Sequence, residues 1–258
     1  MSIYQHFREE EHPFIDQVLS WRETVERTYQ AKLTDFLDPR EQQIVSSLIG
    51  TKLSDVQLAF QDTGEQEERK RALIAPFYEE ITETSFQLSL LQATFHTKFI
   101  QIEHRDVLGA FTSLGITREK LGDIFIDEGV LQLIVAEEIA PYVVMNLTTI
   151  KNARISLDEK PLSAMLTREN NWKASDQTVS SLRLDVVLKE IYRIPRKEAQ
   201  QFIKKKRVKV NFKIVTDLAF DLYEGDLISV QGKGRSKLLQ VNGRTRKNKL
   251  RITTAILK

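Results

Sequence analysis

The chain has 258 residues, enough for one large domain or two to three small ones, and its 41% hydrophobic and 29% charged content excludes a disordered polypeptide. It contains no cysteine, which removes disulfides, thiolate nucleophiles and cysteine-ligated zinc, and it has no apolar run long enough to predict a membrane-spanning helix. The net charge of +2 hides a division: residues 1–169 hold 17 Lys+Arg against 28 Asp+Glu, a balance of −11, and residues 170–258 hold 21 against 8, a balance of +13.

In chain order, the N-terminal "MSIYQHFREEEHPF" lacks the apolar core of a secretion signal, so a cytoplasmic location is expected. Phe14, Val18, Trp21 and Val25 recur at helical spacing. A second helix is signposted by Asp38 as cap, Pro39 at the first helical position, Glu41 completing a capping box, and Gly50 as terminator. "VQLAF" alternates as a strand, and the charged "EQEERKRALIAP" reads as a short surface helix. Residues 1–80 are therefore expected to form a mostly helical subdomain.

Residues 81–166 change pattern. "FQLSLLQATF" and "KFIQIE" read as extended, "RDVLGAFTSLG" as a helix ending at Gly115, and "GDIFID" and "GVLQLIV" as a hairpin turning at Glu128-Gly129. "EEIAPYVVMNLTTI" reads as a helix interrupted by Pro141, and "ARISLDE" as a last strand. The order β-α-β-β-α-β predicts a ferredoxin-like plait, the RRM-like arrangement, with both helices on one face. The fold class expected for the chain is α+β. RNA-recognition plaits stack bases on aromatic residues of their central strands; "GVLQLIV" has no aromatic and "KFIQIE" has one, Phe99, so the plait is expected to be a scaffold or protein contact. Residues 167–180 are polar and aperiodic and read as a linker, part of which can pack as an edge segment.

Residues 181–258 form the basic module. Leu184, Val187, Leu188 and Ile191 mark an amphipathic helix. Pro195 restarts a second helix, whose Ala199, Phe202 and Ile203 face inward while Arg196, Lys197, Gln200 and Lys204 face out. "RVKVN" alternates, with Val208 and Val210 inward and Lys209 outward, and Glu224-Gly225-Asp226 turns the chain into "LISV". "QGKGRSKLLQ" reads as a flexible basic loop, and Asn242-Gly243 as a tight turn beneath a tip carrying Arg244, Arg246, Lys247 and Lys249. Such a surface suits a phosphate backbone.

The succession Arg183-Leu184-Asp185, Arg196 with Ala199, Val208-Lys209-Val210-Asn211, and Gly225-Asp226 to Val230 resembles the S4-type RNA-binding domain. Carried over by position, this resemblance implies RNA contacts from Arg183, Arg196, Lys197, Gln200, Lys204, Lys205, Lys209, Asn211 and Lys213. Asp185 is expected to orient a neighbour. Three positions depart from the pattern: Pro195 replaces a Ser, and Lys206 and Phe212 replace glycines, so the local turns there are expected to differ.

"GITREKLGDIFIDEG" followed by "LQLIVAEEIAPYVVMNL" is similar to the middle of the YlmH family, which extends the resemblance over nearly the full length. The family implies a non-enzymatic factor of translation quality control. Its members bind large ribosomal subunits obstructed by peptidyl-tRNA, through rRNA and tRNA, and support C-terminal tailing of the stalled chain. No cofactor, metal or catalytic residue is implied, and the acidic half is open to a protein partner. Two competing readings stand beside it. An RNA-modifying enzyme, pseudouridine-synthase-like, would need a catalytic Asp in a separate large domain. A methyltransferase would show a Gly-rich nucleotide loop, a tyrosyl-tRNA synthetase its ATP motifs, and the four His at 6, 12, 96 and 104 have no metal spacing. A cell-division or membrane adaptor would need a large apolar helix face, and no membrane insertion is expected.

Overall fold

The computed structural model describes residues 3–50, 55–62, 67–97, 100–166 and 172–257. The chain forms two compact units, Met1–Arg168 and Glu169–Lys258.

In the first unit, α1 (His12–Thr28) and α2 (Pro39–Ile49) pack on one face of a three-stranded antiparallel sheet. Its strands are β1 (Lys32–Leu37), β2 (Val56–Phe60) and β3 (Lys70–Pro76), in the order β1-β3-β2. The cap of α2 is complete: Asp38 Oδ1 accepts from the N–H of Arg40 at 2.8 Å and of Glu41 at 2.9 Å, and Glu41 Oε2 accepts from the N–H of Asp38 at 2.8 Å. Ile15, Val18, Ile44, Val45 and Leu48 meet Leu37, Val56, Ala72 and Ile74 to make this core.

The segment expected to be a surface helix, "EQEERKRALIAP", instead supplies the central strand β3, with Glu65 and Gln66 outside the described residues. Its charge misleads because two arginines are buried and donate to backbone carbonyls, with Arg69 Nε the one buried nitrogen of these two side chains left without a partner. Arg69 Nη2 donates to Phe36 O at 2.6 Å, and Arg71 donates to Thr34 O at 2.7 Å and Gln87 O at 3.0 Å. A buried guanidinium with carbonyl partners in place is compatible with a strand interior.

The plait follows as expected. Strands β4 (Leu88–Thr94), β5 (Leu121–Asp127) and β6 (Val130–Ala136) alternate with α3 (His104–Thr112) and α4 (Ala140–Asn146). A small hairpin, β7 (Thr149–Ile150) and β8 (Ala153–Arg154), precedes the edge strand β9 (Asp158–Lys160). The order β5-β6-β4-β9, antiparallel throughout, is that of a β-α-β-β-α-β plait. Leu91, Leu131, Leu133 and Val135 share one core with Val107, Phe111, Ala140 and Val143, which puts both helices on one face. Glu128 (φ 40°) and Gly129 (φ 89°) form the expected hairpin turn.

Three local expectations change. Ile100–Glu103 is irregular, with Lys98 and Phe99 outside the described residues: Ile102 is buried without a ladder, and Glu103 begins α3. Pro141 starts α4 rather than interrupting it, because the first helical turn needs no N–H there. The last strand is displaced to Asp158–Lys160, where Leu90 pairs with Lys160. Gly122 is set against β1: an added Cβ would lie 2.7 Å from the Phe36 ring.

The second unit is a six-stranded antiparallel sheet with two helices, α5 (Leu184–Tyr192) and α6 (Arg196–Lys204). Its strands are β10 (Trp172–Val179), β11 (Val208–Val210), β12 (Lys213–Ile214), β13 (Leu227–Val230), β14 (Gly234–Arg244) and β15 (Leu250–Leu257), in the order β10-β15-β14-β13-β11-β12. Most of the supposed linker is β10, paired with β15 from Trp172–Leu257 to Val179–Leu250. An edge strand with one solvated side reads as polar, which is why residues 172–179 resemble a linker in sequence. The basic loop around Lys233 contracts to a turn, since Gly234 onward is strand. Asn242-Gly243 lies inside β14 at a register shift, and the hairpin tip is the segment 245–249.

Candidate nucleic-acid interface

The two helices meet around one buried carboxylate. Asp185 sits in the first turn of α5 with 0% exposure, because α5 buries that whole side along with Leu184, Val187, Leu188 and Ile191. Its Oδ1 accepts from Arg183 Nε at 3.3 Å. Its Oδ2 accepts from Arg196 Nε at 2.9 Å and Gln200 Nε2 at 3.0 Å, and Arg196 Nη2 stands at 2.8 Å. Burial works to raise the Asp185 carboxyl, but the bonds from Gln200 and Arg196 and the charges of Arg196 and Arg183 outweigh it and hold the group below the usual carboxylate range. The two arginine side chains remain 40% and 50% exposed, so the buried carboxylate holds one edge of each guanidinium while much of the side chain stays open to solvent.

Arg196, Gln200 and Lys204 recur at i, i+4 and i+8 on α6, flanking the face on which Ala199 and Ile203 are buried. Lys197, Lys204 and Lys205 are exposed beside this stripe. Pro195 is the residue before the first turn of α6 rather than inside it.

At the end of α6 the chain keeps a glycine conformation without glycine. Lys206 has φ 58°; its N–H donates to Ile203 O at 3.0 Å, and the N–H of Arg207 donates to Phe202 O at 3.0 Å, which is a Schellman motif. A lysine held left-handed costs about 1–2 kcal/mol, and glycine's greater unfolded-state freedom returns about 0.5–1 kcal/mol of that. Lys206→Gly is therefore expected to stabilise the unit by about 0.5–1 kcal/mol and at the same time weaken RNA binding. Urea unfolding and an RNA titration of the same variant check both halves. Loss of stability would show that the side chain is held for packing.

The "VKVN" turn is equally tight. Asn211 (φ 47°) and Phe212 (φ 67°) link the Val210–Lys213 pair, so the glycine-compatible geometry survives with other residues. Asn211 is 8% exposed and its amide is used internally: Nδ2 donates to Asp226 Oδ1 at 2.8 Å and Oδ1 accepts from Leu227 N at 2.9 Å. It belongs to the frame rather than the exposed surface. Lys209 points to the sheet face away from the helices, whereas exposed Lys213 pairs with Val210 on the helix side.

The structure thus gathers Arg183, Arg196, Lys197, Gln200, Lys204 and Lys205 on the helices, and places Lys209, Asn211 and Lys213 elsewhere. Outside the candidate contacts expected from the sequence stand Lys206, Arg207 and Arg235, which line a groove of about 520 Å³ with Lys209, Ser229 and Gly232. The available signal was alternation: Arg207 and Lys209, then Arg235 and Lys237, stand at strand period. The hairpin tip presents exposed Arg244, Arg246, Lys247 and Lys249.

In the first unit, the plait face opposite its helices is closed. Leu90, Phe125, Ile134 and Ala136 are buried there with Phe36 of β1, and Leu162, Met165 and Leu166 pack over them. Gln132 stitches this cover down, donating to Gln92 Oε1 at 2.8 Å and Ala164 O at 2.9 Å and accepting from Leu166 N at 2.7 Å. This is the face on which RNA-recognition plaits stack bases. Asp123 is pushed up to about 6 by burial, with backbone N–H bonds from Arg69 and Glu68 opposing, and it serves to tie β5 to the start of β3. Among the described residues no group of three or more His, Cys, Asp or Glu is placed to hold a metal ion, and no helix is long and apolar enough to cross a membrane.

Three family models match: "YlmH, N-terminal" over residues 10–79, "Putative RNA-binding domain in YlmH" over 82–164, and "S4 domain" over 182–228. The chain is 42% identical over 251 residues to the "Ribosome-associated protein quality control protein P2" of Bacillus subtilis (strain 168), covering 97% of each. It also resembles the solved structure of "Cell division protein ylmH from Streptococcus pneumoniae", with TM-score 0.55 and 29% identity, over 64% of this chain and 100% of that one.

Proposed function

The chain belongs to the YlmH family, and we propose that it is a non-enzymatic RNA-binding factor acting on large ribosomal subunits obstructed by peptidyl-tRNA. The observation that carries this reading is the Asp185 hub. A buried carboxylate fixes Arg183, Arg196 and Gln200 while both arginines stay open to solvent beside Lys197, Lys204 and Lys205. That arrangement grips a phosphate backbone and performs no bond chemistry. Asp185 is closed to any substrate by burial, and Asp123 is occupied by two backbone N–H groups, which supports binding rather than catalysis. The printed name of the Bacillus relative supports the ribosome as partner. The acidic first unit, with its plait face closed, suits a protein contact better than RNA.

The test is crosslinking of the tagged protein to RNA in cells, followed by sequencing of what is recovered. Large-subunit rRNA together with tRNA is the expected outcome. Enrichment of one small RNA or a single modified rRNA position would replace this reading with an RNA-modifying enzyme, and recovery of no RNA would reject it.

A further inference from the structure

The sheet of the second unit has two faces, and the helices use one. Val208, Val210, Ile228, Val230, Leu238 and Ile252 share a core with α5 and α6. The other face carries an unbroken cross-strand row. Lys209 pairs with Ser229, and Ser229 with Arg235. Arg235 lies one step beyond the Ser236–Ile256 pair, which sets it opposite Leu257, and Leu257 pairs with Trp172. Five strands about 4.8 Å apart give a row about 19 Å long. It is cationic at the Lys209 end and aromatic at the Trp172 end. Lys237, two residues along β14 on the same face, holds its Nζ 4.6 Å from the Trp172 ring centroid. The groove around Lys206, Arg207 and Lys209 opens at the cationic end. Trp172, Arg235 and Lys237 all lie outside the 182–228 span that matches the S4 model.

We propose that this face is a second RNA site, separate from the α5–α6 surface, and that it takes a single strand. One base stacks on Trp172, Lys237 transfers its ammonium from the ring to the phosphate that arrives with that base, and the backbone runs past Arg235 to Lys209 and the groove. A single strand fits because its bases are free to stack on an aromatic ring, whereas a duplex hides them and offers phosphates alone. An exchange of a cation–π contact for a cation–phosphate contact keeps Lys237 partnered in both states. The inference takes its ligand class from the RNA-binding reading above, but it uses none of the helix residues that carry that reading.

The chain has two tryptophans, so Trp21→Phe in the full-length protein leaves Trp172 as sole reporter. A short fluorescently labelled oligouridylate is titrated while Trp172 emission and label anisotropy are recorded together. Emission is expected to fall at least twofold with the anisotropy rise. Lys209→Ala with Arg235→Ala should weaken the strand's binding about tenfold or more, and Lys197→Glu with Lys204→Glu and Lys205→Glu should leave the quench in place. Binding by anisotropy with Trp172 unmoved overturns the inference, as does no binding of the strand. Loss of the quench in the helix variant alone would also overturn it, leaving the helix-surface reading intact. Matching circular dichroism of all variants guards against unfolding.

Discussion

Arg196→Ala is expected to destabilise the second unit by about 2–4 kcal/mol, far more than a surface arginine normally contributes. The reason is what it leaves behind: Asp185, at 0% exposure, would keep its charge with only Gln200 at 3.0 Å and Arg183 at 3.3 Å to hold it. Breaking a buried pair from one side costs about 3–5 kcal/mol in general, and the two remaining donors reduce that figure. Asp185→Leu with Arg196→Met, which removes both charges and fills the space, is expected to recover most of the loss, so the cycle should be strongly non-additive. Urea unfolding, followed by circular dichroism, measures all four corners. The double variant should be folded and deficient in RNA binding, which separates the aiming role of the hub from its stabilising one. Additive effects would mean that Asp185 and Arg196 act independently. The pH dependence has a defined sign. The folded carboxyl lies below its unfolded value near 3.9, so its contribution is present above that value and lost as pH falls through the folded one. Wild type should therefore lose this stability on acidification below about pH 4, and Asp185→Leu/Arg196→Met should lack that loss.

Much of this hub was legible in the sequence, and its limits are physical. Arg183-Leu184-Asp185 and the i, i+4, i+8 spacing of Arg196, Gln200 and Lys204 place the groups on two helices, but nothing local shows that the helices converge on one carboxylate. The plait was legible because its strands alternate and its turn at Glu128-Gly129 has dedicated chemistry. β3 was not, since a strand that buries arginines against carbonyls has the composition of a solvated helix. β10 was not, since its partner β15 lies more than seventy residues away and edge strands keep one polar side. Glycine-type turns at Lys206 and Phe212 were expected to change with the residue. They persist because the Schellman bonds and the Val210–Lys213 register over-determine the backbone there.

Reversal of Lys197, Lys204 and Lys205 to Glu is expected to abolish binding of duplex RNA, which offers the α5–α6 surface phosphates alone, under conditions where wild type saturates, while the fold and the single-strand site survive. All three side chains are exposed, and α6 is held by Ala199 and Ile203 on its opposite side. Negative charge at the C-terminal end of α6 costs about 0.3–1 kcal/mol per residue, too little to unfold the unit. The effect on RNA is larger because each neutralised phosphate releases condensed counterions. Five contacts, from Arg183, Arg196, Lys197, Lys204 and Lys205, predict that wild-type affinity falls about a hundredfold or more between roughly 50 and 200 mM salt. Conservative replacement of the same three lysines by Gln should reduce the slope of log affinity against log salt by about two to three. Removing any three exposed cations lowers net charge equally, so Arg27, Lys32 and Lys151 of the first unit, all exposed and changed to Gln, serve as the control. If the helix lysines act as direct phosphate contacts, only their replacement flattens the slope. Equal flattening by both sets would mean that the protein attracts RNA by its overall field, with no localised grip on α6.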